Sequence, residues 1–176
     1  MPIYRREEDF WRLLGNLFYL NNQGRMPLNW SRTLKQLGLW TPGVYQWPEE
    51  WGIRSPLVSV LAFCIMPNHL HLILKECIEN GIPNFMHRVS MSYSKFINEK
   101  YEESGGLFQG AYKARHLFDD NYLRYAAVYT MVKNPFELEK GGLAHAIKNF
   151  DDKLAVIIIL ALLVISAVYL ALKKLK

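Results

Sequence analysis

Cysteine is scarce in this chain: Cys64 and Cys77 are the only two, thirteen residues apart. That spacing excludes a zinc knuckle and a disulfide framework, and it fits a reducing compartment. A secretory signal is lacking as well, since Met1 to Asp9 is charged and no apolar run follows it. Internal repeats and low-complexity tracts are absent. A surplus of one charge is nearly absent too. The formal net charge is +5, but residues 154–176 carry three lysines and no acid; taking three from 21 leaves 18 basic against 16 acidic residues in 1–153. So small an excess does not argue for nucleic acid, and any such contact has to come from local patches.

What is present points to one compact α+β domain. Hydrophobic residues make up 51% of the chain, which argues against disorder, and 176 residues suffice for one core but not for two large ones. Phe10, Leu13, Leu14, Leu17 and Phe18 recur at helical spacing over 7–20, and Asn21 to Gly24 supplies turn chemistry after them. A second short helix is expected over 29–37. Residues 40–56, rich in Trp, Pro and Gly, read as an ordered loop. Leu57 to Ile65 is apolar and β-branched, Met66-Pro67-Asn68 is a turn, and His69 to Leu74 alternates, so a hairpin is expected. Residues 82–101 carry Phe85, Val89, Tyr93, Phe96 and Ile97 on one helical side. A strand is expected over 111–118. Asp119-Asp120 can cap a helix over 122–132, which Asn134-Pro135 ends. Leu154 to Leu172 is 19 residues without a charge; as a helix it would span roughly 28 Å, close to the hydrocarbon core of a bilayer. A transmembrane helix is therefore expected over 154–172, with a buried core helix as the alternative.

Alternate side chains of a strand share a face, so His69 and His71 point the same way, about 7 Å apart along it. Two such imidazoles can hold one divalent ion if a carboxylate, an amide oxygen or water completes the site. From the pair alone, two surface histidines on a half-exposed strand are the stronger reading. His87, His116 and His145 show no pairing.

The string from Cys64 to Leu74, a strand followed by Met-Pro-Asn and His-x-His, resembles the HUH motif of single-tyrosine transposases, among them the REP-associated tyrosine transposases and insertion-sequence enzymes. Asn98-Glu99-Lys100-Tyr101 resembles the family's Asn-x-Lys-Tyr helix end. Gly106 to Gly110 resembles its Gly-x-Phe-Gln-Gly turn, and Tyr129 to Pro135 its tyrosine helix running into Asn-Pro. The resemblance covers roughly residues 3–150, which delimits a transposase-like domain of 1–150.

The resemblance implies a ferredoxin-like antiparallel sheet with helices on one face, its first strand missing here because only Met1 to Tyr4 precede the first helix. It implies cleavage and joining of single-stranded DNA with hairpin ends, by a cytoplasmic homodimer, through a 5′-phosphotyrosine link. It also implies Mg²⁺ or Mn²⁺ held by His69, His71 and a polar side chain one turn beyond the tyrosine, for which Asn134 is the match; Lys133 can instead reach the phosphate. The family tyrosine usually lies five residues ahead of the proline, where this chain has Thr130. Tyr129, one residue earlier, is the expected nucleophile if the local helix adjusts, and Tyr125 is the second choice. Arg88, Lys95, Lys113 and Arg115, with Lys100 and Arg124, are candidate phosphate contacts. Tyr93, Tyr101, Phe108 and Tyr112 are candidate stacking surfaces for unpaired bases. The alternative reading is a catalytically inactive, membrane-anchored or decayed transposase-derived nucleic-acid-binding protein.

Overall fold

A computed structural model describes residues 2–27 and 29–134. Helix α1 (Glu7–Tyr19) and helix α2 (Trp30–Gln36) come first. A small hairpin of β1 (Trp40–Thr41) and β2 (Val44–Tyr45) follows, then strands β3 (Val58–Ile65) and β4 (Leu70–Glu76), helix α3 (Gly81–Tyr101) and helix α4 (Asp120–Val128). A π-helical turn, Tyr129–Lys133, continues α4 directly. The protein is thus α+β, and the chain divides into two compact units.

The first unit takes in residues 2–59 and 75–113. The start of its α1 is held by Asp9 in the first turn, whose carboxylate reaches back to accept the Arg5 and Arg6 amides at 2.9 and 3.0 Å. These are two of the amides a helix start leaves without partners. The apolar stripe foreseen on α1 buries Leu13 and Leu17, and α1 packs on α3, whose Phe85, Val89, Tyr93 and Ile97 are sealed from solvent. Each such side chain contributes about 1.5–3 kcal/mol by leaving water. The end of α1 is more than turn chemistry. Asn21 is buried; its amide oxygen accepts the Leu57 and Val58 N–H groups, both at 3.0 Å, and its Nδ2 donates to the Val58 carbonyl at 2.7 Å. It thereby acts as a strand neighbour for the start of β3.

The Trp- and Gly-rich stretch folds into an aromatic cluster of Tyr19, Trp30, Trp40, Tyr45 and Trp51. A Cβ on Gly15 would meet the Trp40 ring at 2.7 Å, so α1 must be bare at that point. A polar staple joins the start of α1 to the end of α3. Asp9 accepts from Lys100 Nζ at 2.7 Å and Tyr101 Oη at 2.6 Å, and Arg5 binds Glu103 through two bonds of 2.8 Å. Burial alone would raise the Asp9 carboxyl. The bonds from Lys100, Tyr101 and the two amides outweigh it and hold the group below the usual carboxylate range.

The second unit takes in 60–74 and 114–134 of the described residues. Strands β3 and β4 pair as a hairpin, closed where the Met66 amide donates to the His69 carbonyl at 2.8 Å. Helix α4 is capped as foreseen: Asp119 accepts the Tyr122 amide at 2.8 Å. A small apolar core of Ala62, Ile73 and Ala127 gathers Leu61, Leu117, Leu123, Ala126 and Met131 around it, fixing α4 on the hairpin.

The ferredoxin-like sheet does not appear among the described residues, which contain two separate two-stranded sheets. Residues 111–118, expected as a strand, form no ladder; all but Leu117 are exposed. A strand needs a neighbour for its amides, and residues 2–4 are not a strand. Among the described residues no helix is long and apolar enough to cross a membrane, and the segment 154–172 lies outside them.

Candidate catalytic site

The hairpin turn brings the two histidines together. His69 stands at the threshold of β4, exposed, and His71 lies on the strand, half-buried. Their Nε2 atoms are 3.0 Å apart, and the rings meet edge to face with centroids 4.8 Å apart. The separation is shorter than the strand repeat because His69 precedes the ladder and can fold toward His71.

His69 Nδ1 lies 2.7 Å from Asn68 Oδ1. With that oxygen accepting, His69 carries its proton on Nδ1, and its Nε2 keeps a lone pair turned to His71. Sequence reasoning treated Asn68 as turn chemistry alone. Its place directly before the first histidine is the signal that it also orients a ring, as partners of metal-bound imidazoles do.

The helix gives the two tyrosines different surroundings. Tyr129 is half-buried and its ring centroid lies 6.4 Å from that of His71, again edge to face. Tyr125 is 62% exposed and stacks on Tyr122 at 6.3 Å. Thr130, at the position where the resemblance expects the tyrosine, is only 5% exposed and packs inward.

The π turn bears on this register. The Asn134 amide donates to the Tyr129 carbonyl, five residues back. A π turn holds one residue more than an α turn. One extra residue in an α-helix rotates everything before it by about 100°. Tyr129 stands six residues ahead of Pro135 rather than the five the resemblance expects, a surplus of one residue, which is what a π turn contains over an α turn. Lys133 Nζ sits 4.7 Å from the centre of the Tyr129 ring. Asn134 is 2% exposed, and its Nδ2 has no partner among the described residues.

These side chains fit a divalent ion as a partial donor set. Two nitrogens 3.0 Å apart match neighbouring ligands each ~2.1 Å from one ion and ~90° apart. Among the described residues no group of three or more His, Cys, Asp or Glu side chains is placed to hold a metal. Further ligands would therefore be an amide oxygen, water or substrate, which leaves positions open for a phosphate.

The expected phosphate contacts are dispersed. Arg88 donates to the backbone carbonyls of Asn22, Gln23 and Gly24, which makes it a strut for the turn after α1. Lys95 is exposed and pairs with Glu99 at 3.6 Å. Lys113 and Arg115 are exposed, and the Arg115 guanidinium covers the Tyr122 ring at 4.9 Å. Tyr93 is not a stacking surface: it is fully buried, and its hydroxyl donates to the Ile3 and Asp9 carbonyls at 2.8 and 3.2 Å. Tyr112 is 44% exposed. His145 lies outside the described residues.

Among known families, the model described as "Transposase IS200 like" matches residues 53–129, a little under half of the chain. The matched stretch contains the whole β3–β4 hairpin with both histidines and ends on Tyr129. No curated protein and no solved structure matches the chain.

Proposed function

We infer from the match of residues 53–129 to the IS200-like transposase family that this chain cuts and rejoins single-stranded DNA with Tyr129 as the nucleophile. The observation that carries the reading is the approach of Tyr129 to His71 of the histidine pair, ring centroids 6.4 Å apart, at the start of a π turn of Tyr129–Lys133. Tyr129 Oη attacks the scissile phosphorus. The Oη–P bond forms as the P–O3′ bond breaks, the phenolic proton passes to water, and the departing strand is left with a 3′-hydroxyl. The 5′-phosphotyrosine retains the phosphodiester energy, so rejoining needs no nucleotide cofactor. His69 and His71, with the Asn134 amide oxygen, would hold Mg²⁺ or Mn²⁺, which when bound stabilises charge developing on the phosphate. Asn68 keeps the His69 ring turned toward His71. Lys133, whose Nζ lies 4.7 Å from the centre of the Tyr129 ring, would contact the phosphate.

The substrate is single-stranded DNA with hairpin ends, the acting species a homodimer, and the location the cytoplasm with the DNA. Incubating the full chain with a labelled hairpin oligonucleotide and Mn²⁺ gives a denaturation-resistant protein–DNA adduct on this reading. EDTA, Tyr129→Phe and His69→Ala each abolish it. An adduct that survives Tyr129→Phe would sink the assignment. DNA binding without any adduct, with the chain recovered in membranes, would favour the non-catalytic alternative anchored through 154–172.

A further inference from the structure

The first unit holds a pocket of about 950 Å³ that the family resemblance did not foresee. Arg12, Arg25, Arg32, Arg88 and Lys95 line it with a single carboxylate, Glu99. These five cations come from α1, the turn after it, α2 and α3, and Glu99 is already engaged by Lys95. The pocket is therefore strongly positive in a chain whose bulk charge is nearly balanced.

Arg12 is the unusual member. Its guanidinium lies between the Trp30 ring, at 4.2 Å, and the Phe96 ring, at 5.1 Å. It takes part in no ion pair among the described residues, and its buried Nε has no hydrogen-bond partner there. Burial pushes the group down to about 10, so it remains a cation at neutral pH while being poorly solvated. A desolvated cation with unused donors is costly unless an anion completes it. Arg25 and Arg32, both exposed, likewise form no ion pair among the described residues. Packing explains why Arg12 is flat against Trp30, but not why three more arginines and a lysine surround the same space.

We propose that this pocket binds the phosphates of an unpaired DNA segment, with the half-buried Arg12 as the inner anchor and Arg25 and Arg32 as the outer contacts. Guanidinium forks suit phosphate oxygens better than point charges do. A concave site of this size admits a nucleotide or two, whereas a duplex is a convex rod that could only lie across its mouth. Cations interleaved with aromatic side chains, here Trp30 and Phe96, are the arrangement that tracks single strands without reading sequence. Arg88 supports the rim by holding the turn that carries Arg25. The choice of DNA as the phosphate carrier rests on the family reading; the anion chemistry of the pocket does not.

The test is fluorescence anisotropy of the full chain in EDTA with a labelled oligodeoxythymidine of about 12 nucleotides, a length within the range such grooves cover. Arg25→Glu with Arg32→Glu, two exposed sites that leave the core intact, should weaken binding at least about tenfold and lower the salt dependence by about two units of slope. Arg12→Gln should weaken it similarly. Lys35→Glu, an exposed cation of α2 outside the pocket, should have little effect. The proposal is overturned if the double variant binds like the unaltered chain, if Lys35→Glu costs as much, or if polyglutamate of equal charge displaces the oligonucleotide as well as unlabelled DNA does. Adduct formation with a binding loss that never appears would remove the pocket and keep the transposase reading. A binding loss in a chain that never forms an adduct would do the reverse.

Discussion

The two units encode their chemistry in opposite ways. In the histidine-bearing unit, Asn68, His69 and His71 are neighbours in sequence, and a single hairpin turn brings them together. The apolar core beneath them is small, built on Ala62, Ile73 and Ala127. In the helical unit, Arg12, Arg25, Arg32, Arg88 and Lys95 are scattered over more than eighty positions, and only the packing of α1 and α3 collects them. The core there is dense with aromatic rings. A reacting centre written into a turn tolerates a thin core, because local geometry does the positioning. A binding surface assembled from distant segments depends on the core that gathers it.

Four variants would break or sharpen that contrast. Tyr129→Phe has the largest expected effect: adduct formation should fall by at least about 10³-fold, since the nucleophile is gone, while the thermal melt stays unchanged. Asp9→Ala acts on the other unit. It strips Lys100 and Tyr101 of a fully buried partner and should cost about 3 kcal/mol in denaturant unfolding, with adduct chemistry on the remaining folded protein little altered. The sign of its pH dependence follows from the lowered carboxyl. The staple contributes fully above the unfolded carboxylate range, near 3.9, and its contribution is lost as pH falls through the lower folded value. In Asp9→Ala that part of the acid transition should disappear, as a pH series of melts would reveal.

Asn68→Ala leaves both histidines but frees the His69 ring. The expected loss is about 10- to 100-fold in adduct rate or metal affinity, with stability nearly constant. The smallest effect is expected from deleting Thr130, which moves Tyr129 to five residues ahead of the proline and lets the turn close as an ordinary α-helix. Adduct formation should stay within about tenfold of the unaltered chain, because the π turn and the deletion are two routes to one register. A complete loss would show that the wide turn does something other than correct the spacing.

The sequence made the locally determined parts legible. Helical periodicity announced α1 and α3, Asp119 announced the cap of α4, and the Met-Pro-Asn turn announced the hairpin. The histidine pair could be read from its spacing beside the Met-Pro-Asn turn, but its closeness could not, because His69 lies just ahead of the ladder and folds to within 3.0 Å of His71. Residues 111–118 misled because side chains such as Tyr112, Leu117 and Phe118 report how well a segment suits a sheet surface, not whether a neighbour exists to pair with it. The π turn left only an arithmetic trace, one residue too many before Pro135, and arithmetic does not say whether a helix will absorb it or turn the tyrosine away. Asn68 was visible but read as turn chemistry alone. The basic pocket was illegible because net charge averages over the chain, and nothing in the spacing of Arg12, Arg25 and Arg32 shows that they face one space.

The central claim is that Tyr129 attacks beside the histidine pair. The most direct measurement is mass spectrometry of the proteolysed adduct formed with a hairpin oligonucleotide and Mn²⁺, locating the nucleotide on the chain. Phosphodiester-linked nucleotide is expected on Tyr129 alone, with none on Tyr122 or Tyr125. Nucleotide on Tyr125, or no covalent peptide in a folded protein that binds the same oligonucleotide, would contradict it.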